Sequence, residues 1–276
     1  MFNSVIGFLM GIANLIPGVS AGTVALLGGI YDRLIHAISD FLSFKASKRE
    51  IIFLLEIAAG VIIGIIGFSR LVEIIIVNYP SATYGFFTGL VVGGIPSVFS
   101  QAGTEKKSKS HWIAFFIGAF FVLSLAFFGK AVNGTEKSLL EHSAARLSYD
   151  VLAGMLGSSS MILPGISGAF ILLLLGEYHR AIAAINAHDL YIITAIGSGI
   201  IIGIVFMSKA LNFLIERKKV ATFMFLAGLM SGSIPDLLFR PVVPNIIRMS
   251  LGIVAGIVFS LYFLRVGKKI QKNRAR

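Results

Sequence analysis

Residues 17–38 read PGVSAGTVALLGGIYDRLIHAI, and residues 164–185 read PGISGAFILLLLGEYHRAIAAI. At an offset of 147 residues the two stretches share a proline, a serine, a glycine, a tyrosine and an arginine. A proline–glycine pair inside an apolar stretch interrupts a helix. Two interrupted apolar helices at matching places in two halves of a chain indicate a substrate site where the halves meet.

The similarity between the halves continues beyond these motifs. Residues 60–71 match residues 199–210, and residues 89–97 match residues 228–236, both at an offset of 139. The change of offset corresponds to a deletion of eight residues in the loop after the second motif. Three matches in the same order predict an internal duplication of the whole chain.

The composition is that of a membrane protein. Of the 276 residues, 56% are hydrophobic and 13% charged, and the mean hydropathy is +0.89. Soluble domains have about 45–50% apolar and about 25% charged residues. Apolar runs of about 20 residues recur, as a helix that crosses a bilayer requires. We therefore predict an all-α membrane protein, and we expect no cleavable signal peptide because the first residues lack a basic region.

The net charge of +11 admits two interpretations, a nucleic-acid partner or a membrane protein with basic cytoplasmic loops. No basic–aromatic motif typical of nucleic-acid binding lies in a soluble segment. Basic loops beside anionic headgroups explain the charge, so membrane lipids are expected partners and nucleic acid is not.

The hydrophobic pattern predicts six full spans, at 51–77, 83–100, 112–129, 190–214, 221–238 and 249–265. The motif segments 4–31 and 149–177 differ from these, because a proline–glycine pair lies near the middle of each. Each arm is then about 12 residues, or roughly 18 Å of helix, too short for a hydrocarbon core of about 30 Å. We predict two re-entrant hairpins whose tips are buried in protein or line a wet cavity.

The loop charges predict the topology. Sixteen of the 24 lysines and arginines lie in loops 32–50, 101–111 and 215–220 and in the tail from Arg265, which are predicted to be cytoplasmic. Loops 32–50 and 178–189 occupy equivalent positions in the repeat but fall on opposite sides. The halves are therefore predicted to have inverted topology, with the first hairpin entering from the cytoplasm and the second from outside.

This topology divides the chain into four parts. They are a first repeat at 1–130, an extracytoplasmic linker at 131–148, a second, inverted repeat at 149–265, and a basic cytoplasmic tail at 266–276. Both termini are predicted to be cytoplasmic.

The motif tips are candidate anion sites. The helical arm after each tip presents backbone N–H groups, which favour anions, and Ser20 and Thr23 add hydroxyl groups. Phe170 replaces Thr23 in the second motif, so that tip is less polar. The alternative is that Ser20 and Ser167 only cap helices. The candidate tip residues are Pro17, Gly18, Ser20, Gly22, Thr23, Pro164, Gly165, Ser167 and Gly168.

Four cations complete the candidate site. Arg33 and Arg180 lie where the two hairpins emerge, and guanidinium suits phosphate. Arg70 and Lys209 lie inside apolar spans, where a charge is costly and usually functional. In the alternative interpretation, these cations extend their charged ends to the membrane surface and the neighbouring tyrosines belong to the ordinary aromatic belt. The tyrosines beside the two arginines, Tyr31 and Tyr178, are included with them.

Of the acids, Glu56 is the best candidate for carrying a coupling proton, while coupling to sodium or no coupling at all remains open. No metal-ligand spacing or Walker motif occurs, and no base accompanies Ser20. We therefore expect no catalytic residue, metal or cofactor.

The segments PGVSAGT…LGGIYDRL and MILPGISGAF…LLGEYHRAI resemble the PopT-type family of bacterial undecaprenyl-phosphate translocases over nearly the whole chain. Two departures stand out. Ala21 replaces the first of the two glycines after the serine in the family pattern Pro-Gly-Val-Ser-Gly-Gly, and His179 follows Tyr178 where the family usually has glutamate. The second departure argues against a role for an acid at that position.

The resemblance implies a flippase of the bacterial plasma membrane. It would return undecaprenyl phosphate from the outer to the inner leaflet for cell-wall (peptidoglycan) and surface-polysaccharide synthesis. In the resulting hypothesis the Ser20 and Ser167 tips hold the phosphate, Arg180 captures it and Arg33 releases it. The alternatives are a channel or secondary carrier for a small soluble anion, and a non-transporting scaffold. A homodimer is compatible with the sequence but not specified by it.

Overall fold

The computed structural model describes residues 2–16, 19–103, 108–128, 140–241 and 243–274. Within these residues the chain forms eleven helices and no strand, as expected for an all-α protein. The helices are α1 Phe2–Asn14, α2 Ala21–Leu27, α3 Tyr31–Leu42, α4 Lys48–Asn78, α5 Pro80–Gln101, α6 Lys109–Phe128, α7 Ala144–Ile162, α8 Gly168–Leu174, α9 Tyr178–Ala187, α10 Leu190–Phe239 and α11 Ile246–Arg274.

Five of the described helices (α4, α5, α6, α10 and α11) are long and apolar enough to cross a membrane. The pair α8 and α9, bent by 101°, is a sixth candidate. A straight helix of the 50 residues of α10 would be about 75 Å long, more than twice a hydrocarbon core of about 30 Å. Lys218 breaks α10 with φ −138° and ψ 50°, so the predicted spans 190–214 and 221–238 lie on either side of the break. The chain is a multi-pass membrane protein.

The break in α10 repeats the junction between α4 and α5. Tyr79 separates those helices with φ −132° and ψ 48°, close to the angles of Lys218, 139 residues later. Thr83 donates to the carbonyl groups four and eight residues earlier, at 2.8 and 3.3 Å. Thr222 makes the same two bonds at 2.9 and 3.0 Å. The sequence similarity between the halves therefore extends to backbone conformation and hydrogen bonding.

Helix packing also recurs at the same offsets. Gly60 of α4 lies against the carbonyl group of Ser4 in α1, and Gly199 of α10 lies against that of Val151 in α7. A methyl group on either glycine would overlap the carbonyl oxygen, so only glycine permits this close approach. The pairs α1–α4 and α7–α10 are therefore packed alike.

The remaining long helices pair across the two halves. Gly89 of α5 lies against the carbonyl group of Ile253 in α11, and Gly228 of α10 lies against that of Phe115 in α6. The middle span of each half thus packs on the last helix of the other half. This reciprocal packing places the two motif segments beside each other in the interior.

Both motif segments are interrupted helices. In the first, α1 ends at Asn14 and α2 begins at Ala21; in the second, α7 ends at Ile162 and α8 begins at Gly168. The helices that follow the breaks have seven residues each, or about 10 Å, far less than a bilayer requires. Pro17 and Gly18 lie outside the described residues.

Candidate functional site

The two motif tips touch each other. The Ser20 hydroxyl donates a hydrogen bond of 2.9 Å to the carbonyl oxygen of Leu163, and the Tyr31 hydroxyl donates one of 3.2 Å to that of Ile162. Ser20 and Tyr31 are each 1% exposed. Their hydroxyl groups satisfy carbonyl groups at the end of α7 that no longer have partners within the helix.

A third bond runs in the opposite direction between the tips. The backbone N–H of Gly165 donates to the Thr23 hydroxyl oxygen at 3.2 Å. Gly165 has φ +86°, and a Cβ there would lie 2.7 Å from the carbonyl oxygen of Leu229 in α10. Both the backbone conformation and the space require glycine. Gly22 lies as closely against the Ile162 carbonyl group, so the tips approach at backbone distance.

The two motif serines differ in their contacts. Ser20 accepts a hydrogen bond of 3.1 Å from the Gly22 N–H, so it caps α2 as the alternative interpretation expected, and it also joins the tips. Ser167 occupies the same position before α8 but makes no side-chain capping bond. Pro164 and Gly168 are buried beside it. Unlike the Ser20 hydroxyl, the Ser167 hydroxyl makes no hydrogen bond to the opposite tip within the described residues.

Ser167 faces a small cleft between α6, α8 and α10. Its polar wall is Ser167, Ser233 and Asp236, and α6 supplies an apolar wall. The complete lining is Val122, Leu125, Ala126, Gly165, Ile166, Ser167, Phe170, Ser233 and Asp236. The cleft is narrow, and Ser167 at its wall is 7% exposed.

An ion pair lies at this cleft. Arg240 donates from Nε and Nη2 to the same oxygen of Asp236, Oδ2, at 3.0 and 2.8 Å. The guanidinium carbon also lies 5.7 Å from the ring centre of Phe170. Arg240 was not among the candidates from the sequence. The signal that could have identified it is an acid and an arginine four residues apart at the end of a helix.

Arg180, in contrast, is enclosed by protein groups. It is 0% exposed, and its Nε and Nη2 bind the two carboxylate oxygens of Asp150 at 2.8 Å each. Its Nη2 also donates to the Glu141 carbonyl oxygen at 2.7 Å. Glu177 lies 3.6 Å from its Nε. This bidentate pair fixes α9 against α7.

The ion-pair cluster extends around Arg180. Glu177 also pairs with Arg146 at 2.5 Å, and Asp189 pairs with His142 at 2.6 Å. Desolvation raises the pKa of the Asp189 carboxyl, but hydrogen bonds from His142 and the Ile192 backbone lower it, and the net shift is downward. Glu177 and Arg146 were not sequence candidates, because their pairing depends on how the loop after α8 folds.

The other predicted residues lie away from the contact between the tips. Arg33 is exposed, with its guanidinium carbon 4.1 Å from the ring centre of Phe53. Tyr178 is half-buried and packs against His179. The structure thus brings Tyr31, but neither Tyr178 nor the two motif arginines, to the tips.

Arg70 and Lys209 occupy equivalent, exposed positions on α4 and α10. Lys209 lies in an open groove whose other lining residues are apolar, Ile201, Ile202, Val205, Phe206, Ala210 and Phe213. Glu56 is half-buried and accepts a hydrogen bond of 2.5 Å from the Asn3 amide, which joins α4 to α1. Phosphate binding by the two cations and proton coupling by Glu56 remain predictions.

Residues 10–254 match the family model described as VCA0040-like, undecaprenyl phosphate translocase-like. A Vibrio cholerae protein named polyprenyl-phosphate transporter is 31% identical over 243 residues, which cover 84% of this chain and 75% of the relative. A Staphylococcus aureus protein of the same name is 29% identical over 274 residues, covering 97% and 96% of the two chains. No solved structure matches the chain.

Proposed function

The chain belongs to the undecaprenyl phosphate translocase-like family, and from this membership we propose that it transports a polyprenyl phosphate across the bacterial plasma membrane. Its relatives in Vibrio cholerae and Staphylococcus aureus are named polyprenyl-phosphate transporters. The proposed movement is from the outer to the inner leaflet, where the lipid re-enters cell-wall synthesis. The role is that of a transporter rather than an enzyme.

The observation that carries this proposal is the contact between the two motif tips. Ser20, Thr23 and Tyr31 of the first motif bind the backbone of the second at 2.9–3.2 Å. Two broken helices that meet in the interior form a place where an anionic headgroup can be bound away from the lipid tails. Backbone and hydroxyl groups there are polar enough to replace part of its water.

We further propose that the two halves form an inverted repeat, each with a re-entrant hairpin and three spans. The reciprocal packing of α5 on α11 and of α10 on α6 supports a twofold relationship. The loop charges support an axis in the membrane plane. Rocking of one half against the other would then open the tips to each side in turn.

The asymmetry of the tips assigns different roles to their residues. Ser167 faces a cleft and is the proposed first hydroxyl contact of the phosphate, whereas Ser20 and Thr23 must release the opposite tip before they can bind. Arg33 is exposed on the proposed cytoplasmic side and suits release. Arg180 is less suited to capture, because separating a fully buried pair costs about 3–5 kcal/mol. We propose that Arg180 anchors the second hairpin instead.

The function is tested by measuring undecaprenyl phosphate on the outer surface of cells with an antibiotic that binds the phosphate headgroup. The host should lack other translocases for this lipid. Depletion of the protein should raise the surface lipid, and the wild type should restore it while Ser167→Leu should not. An unchanged surface level would reject the lipid substrate, and small-anion flux in proteoliposomes would then be measured.

A further inference from the structure

The geometry points to Arg240 as the cation that receives the lipid phosphate at the second motif, with Asp236 holding its guanidinium until the phosphate replaces the carboxylate. This inference rests on the proposed function and deepens it by naming a capture residue. It also predicts that the headgroup binds unequally at the two sides.

The first argument is position. Asp236 lines the cleft that reaches Ser167, and Arg240 comes four residues later, directly after the last residue of α10. The ring of Phe170, which also lines the cleft, lies 5.7 Å from the guanidinium carbon. Arg240 thus lies beside the narrow cleft at the second tip, at the end of α10 that the loop charges predict to be on the outer side.

The second argument is the geometry of the pair. The Nε and Nη2 groups of Arg240 both donate to a single oxygen of Asp236. The same two groups of Arg180 each donate to a different oxygen of Asp150. Arg240 and Asp236 are 20% and 16% exposed, whereas Arg180 and Asp150 are both 0% exposed. A phosphate presents several oxygens to the guanidinium fork and makes a stronger bidentate pair. A partly exposed pair is also separated at less cost than a buried one.

The third argument is the equivalent place in the first half. At the offset of 139, Asp236 and Arg240 correspond to Ser97 and Gln101, which carry no charge. The Gln101 amide nitrogen lies 3.4 Å from the carbonyl oxygen of Leu26, beside the first motif. The Leu27 side chain packs against Gly94, so α5 covers the end of α2 in the first half. The phosphate would therefore meet an arginine at the predicted outer side and an amide at the predicted inner side, so it should bind more tightly at the outer side and dissociate faster at the inner side.

The test compares the affinity of the full-length protein in nanodiscs for undecaprenyl phosphate across four variants. Arg240→Gln, which copies the first half, should lower the affinity by about tenfold or more, since a charged hydrogen bond is lost. Arg240→Lys should lose less. Asp236→Asn removes the competing carboxylate and should bind as tightly as the wild type or more tightly. Arg248→Gln is the matched control, because Arg248 is an exposed arginine in the first turn of α11, and its replacement should leave the affinity unchanged.

The outcomes separate this inference from the proposed function. If the wild type binds the lipid and Arg240→Gln binds it equally well, the inference is overturned and the proposed function stands. If Asp236→Asn loses as much affinity as Arg240→Gln, the pair is only structural and the inference is again overturned. If the wild type binds no undecaprenyl phosphate, the proposed function fails first. Inorganic phosphate as a competitor distinguishes a lipid headgroup site from a general phosphate site.

Discussion

Ser20 and Leu163 are 143 residues apart in the chain, yet the Ser20 hydroxyl donates a hydrogen bond of 2.9 Å to the Leu163 carbonyl oxygen. The bond joins the first motif tip to the end of α7. The corresponding hydroxyl of the second motif, that of Ser167, makes no such bond within the described residues and faces a cleft instead. In the proposed transporter, the first tip must release these contacts before it can bind a headgroup, whereas the Ser167 hydroxyl, among the residues that the structure describes, has no such contact to release.

The bond between Thr23 and Gly165 should stabilise this closed contact. Thr23→Val keeps the shape of the side chain but leaves the buried N–H of Gly165 without its acceptor at 3.2 Å. We expect a loss of about 1–3 kcal/mol in the free energy of unfolding, measured by denaturation of the purified protein. Thr23→Ser retains the hydroxyl and should be close to the wild type. Equal stability of the valine and serine variants would contradict a role for this bond.

Gly165 should tolerate no side chain. Gly165→Ala places a Cβ 2.7 Å from the Leu229 carbonyl oxygen at φ +86°, so both strain and overlap oppose it. We expect transport to be abolished and the protein to be destabilised by more than the roughly 1–2 kcal/mol of a left-handed alanine alone. Gly176→Ala is the control, because Gly176 has φ +74° but open space around its Cβ position. Similar losses in the two variants would show that overlap at the tip is unimportant.

Much of the fold follows from the internal duplication. The matches at offsets of 147 and 139 predicted helix breaks at the two motifs, and the described helices end and begin there. The same offset relates the break at Lys218 to the junction at Tyr79, although neither residue is a usual helix breaker. Similar sequences adopt similar backbone conformations, so the positions of the helices could be predicted from the matches between the halves.

The side-chain environment of the motif arginines could not be predicted in this way. Arg33 and Arg180 are aligned, yet one is exposed and the other fully buried. The difference arises because Asp150 and Glu177, which enclose Arg180, correspond to Asn3 and Ile30 in the first half. A buried arginine needs carboxylates around it, and only the second half supplies them. Ion pairs between side chains of different helices depend on how the helices pack, and an alignment of the two halves gives no information on that packing.

The Arg180–Asp150 pair should be structural. Asp150→Asn leaves the buried guanidinium poorly compensated and should lower the free energy of unfolding by about 3–5 kcal/mol. The double variant Arg180→Met, Asp150→Leu replaces the pair by apolar side chains and should recover much of that stability. Transport by the recovered double variant is the decisive measurement. A stable double variant without transport would show instead that Arg180 contacts the phosphate.

The difference between Arg240 and Gln101 should make the maximal rates of inward and outward movement unequal, while the lipid gradient sets the direction of net movement. Gln101→Arg places a cation beside Ser97 and the first motif, at the side proposed to release the phosphate. A charged hydrogen bond there should hold the headgroup more tightly, so we expect release into the inner leaflet to slow by about tenfold. The measurement is the rate at which reconstituted vesicles move undecaprenyl phosphate from the protein's outer side to its inner side, compared with the rate in reverse.

Gln101→Met, which adds no charge at nearly the same volume, is the control and should change the ratio of the two rates little. If the arginine and methionine variants give the same ratio, charge at this position does not make the two rates unequal.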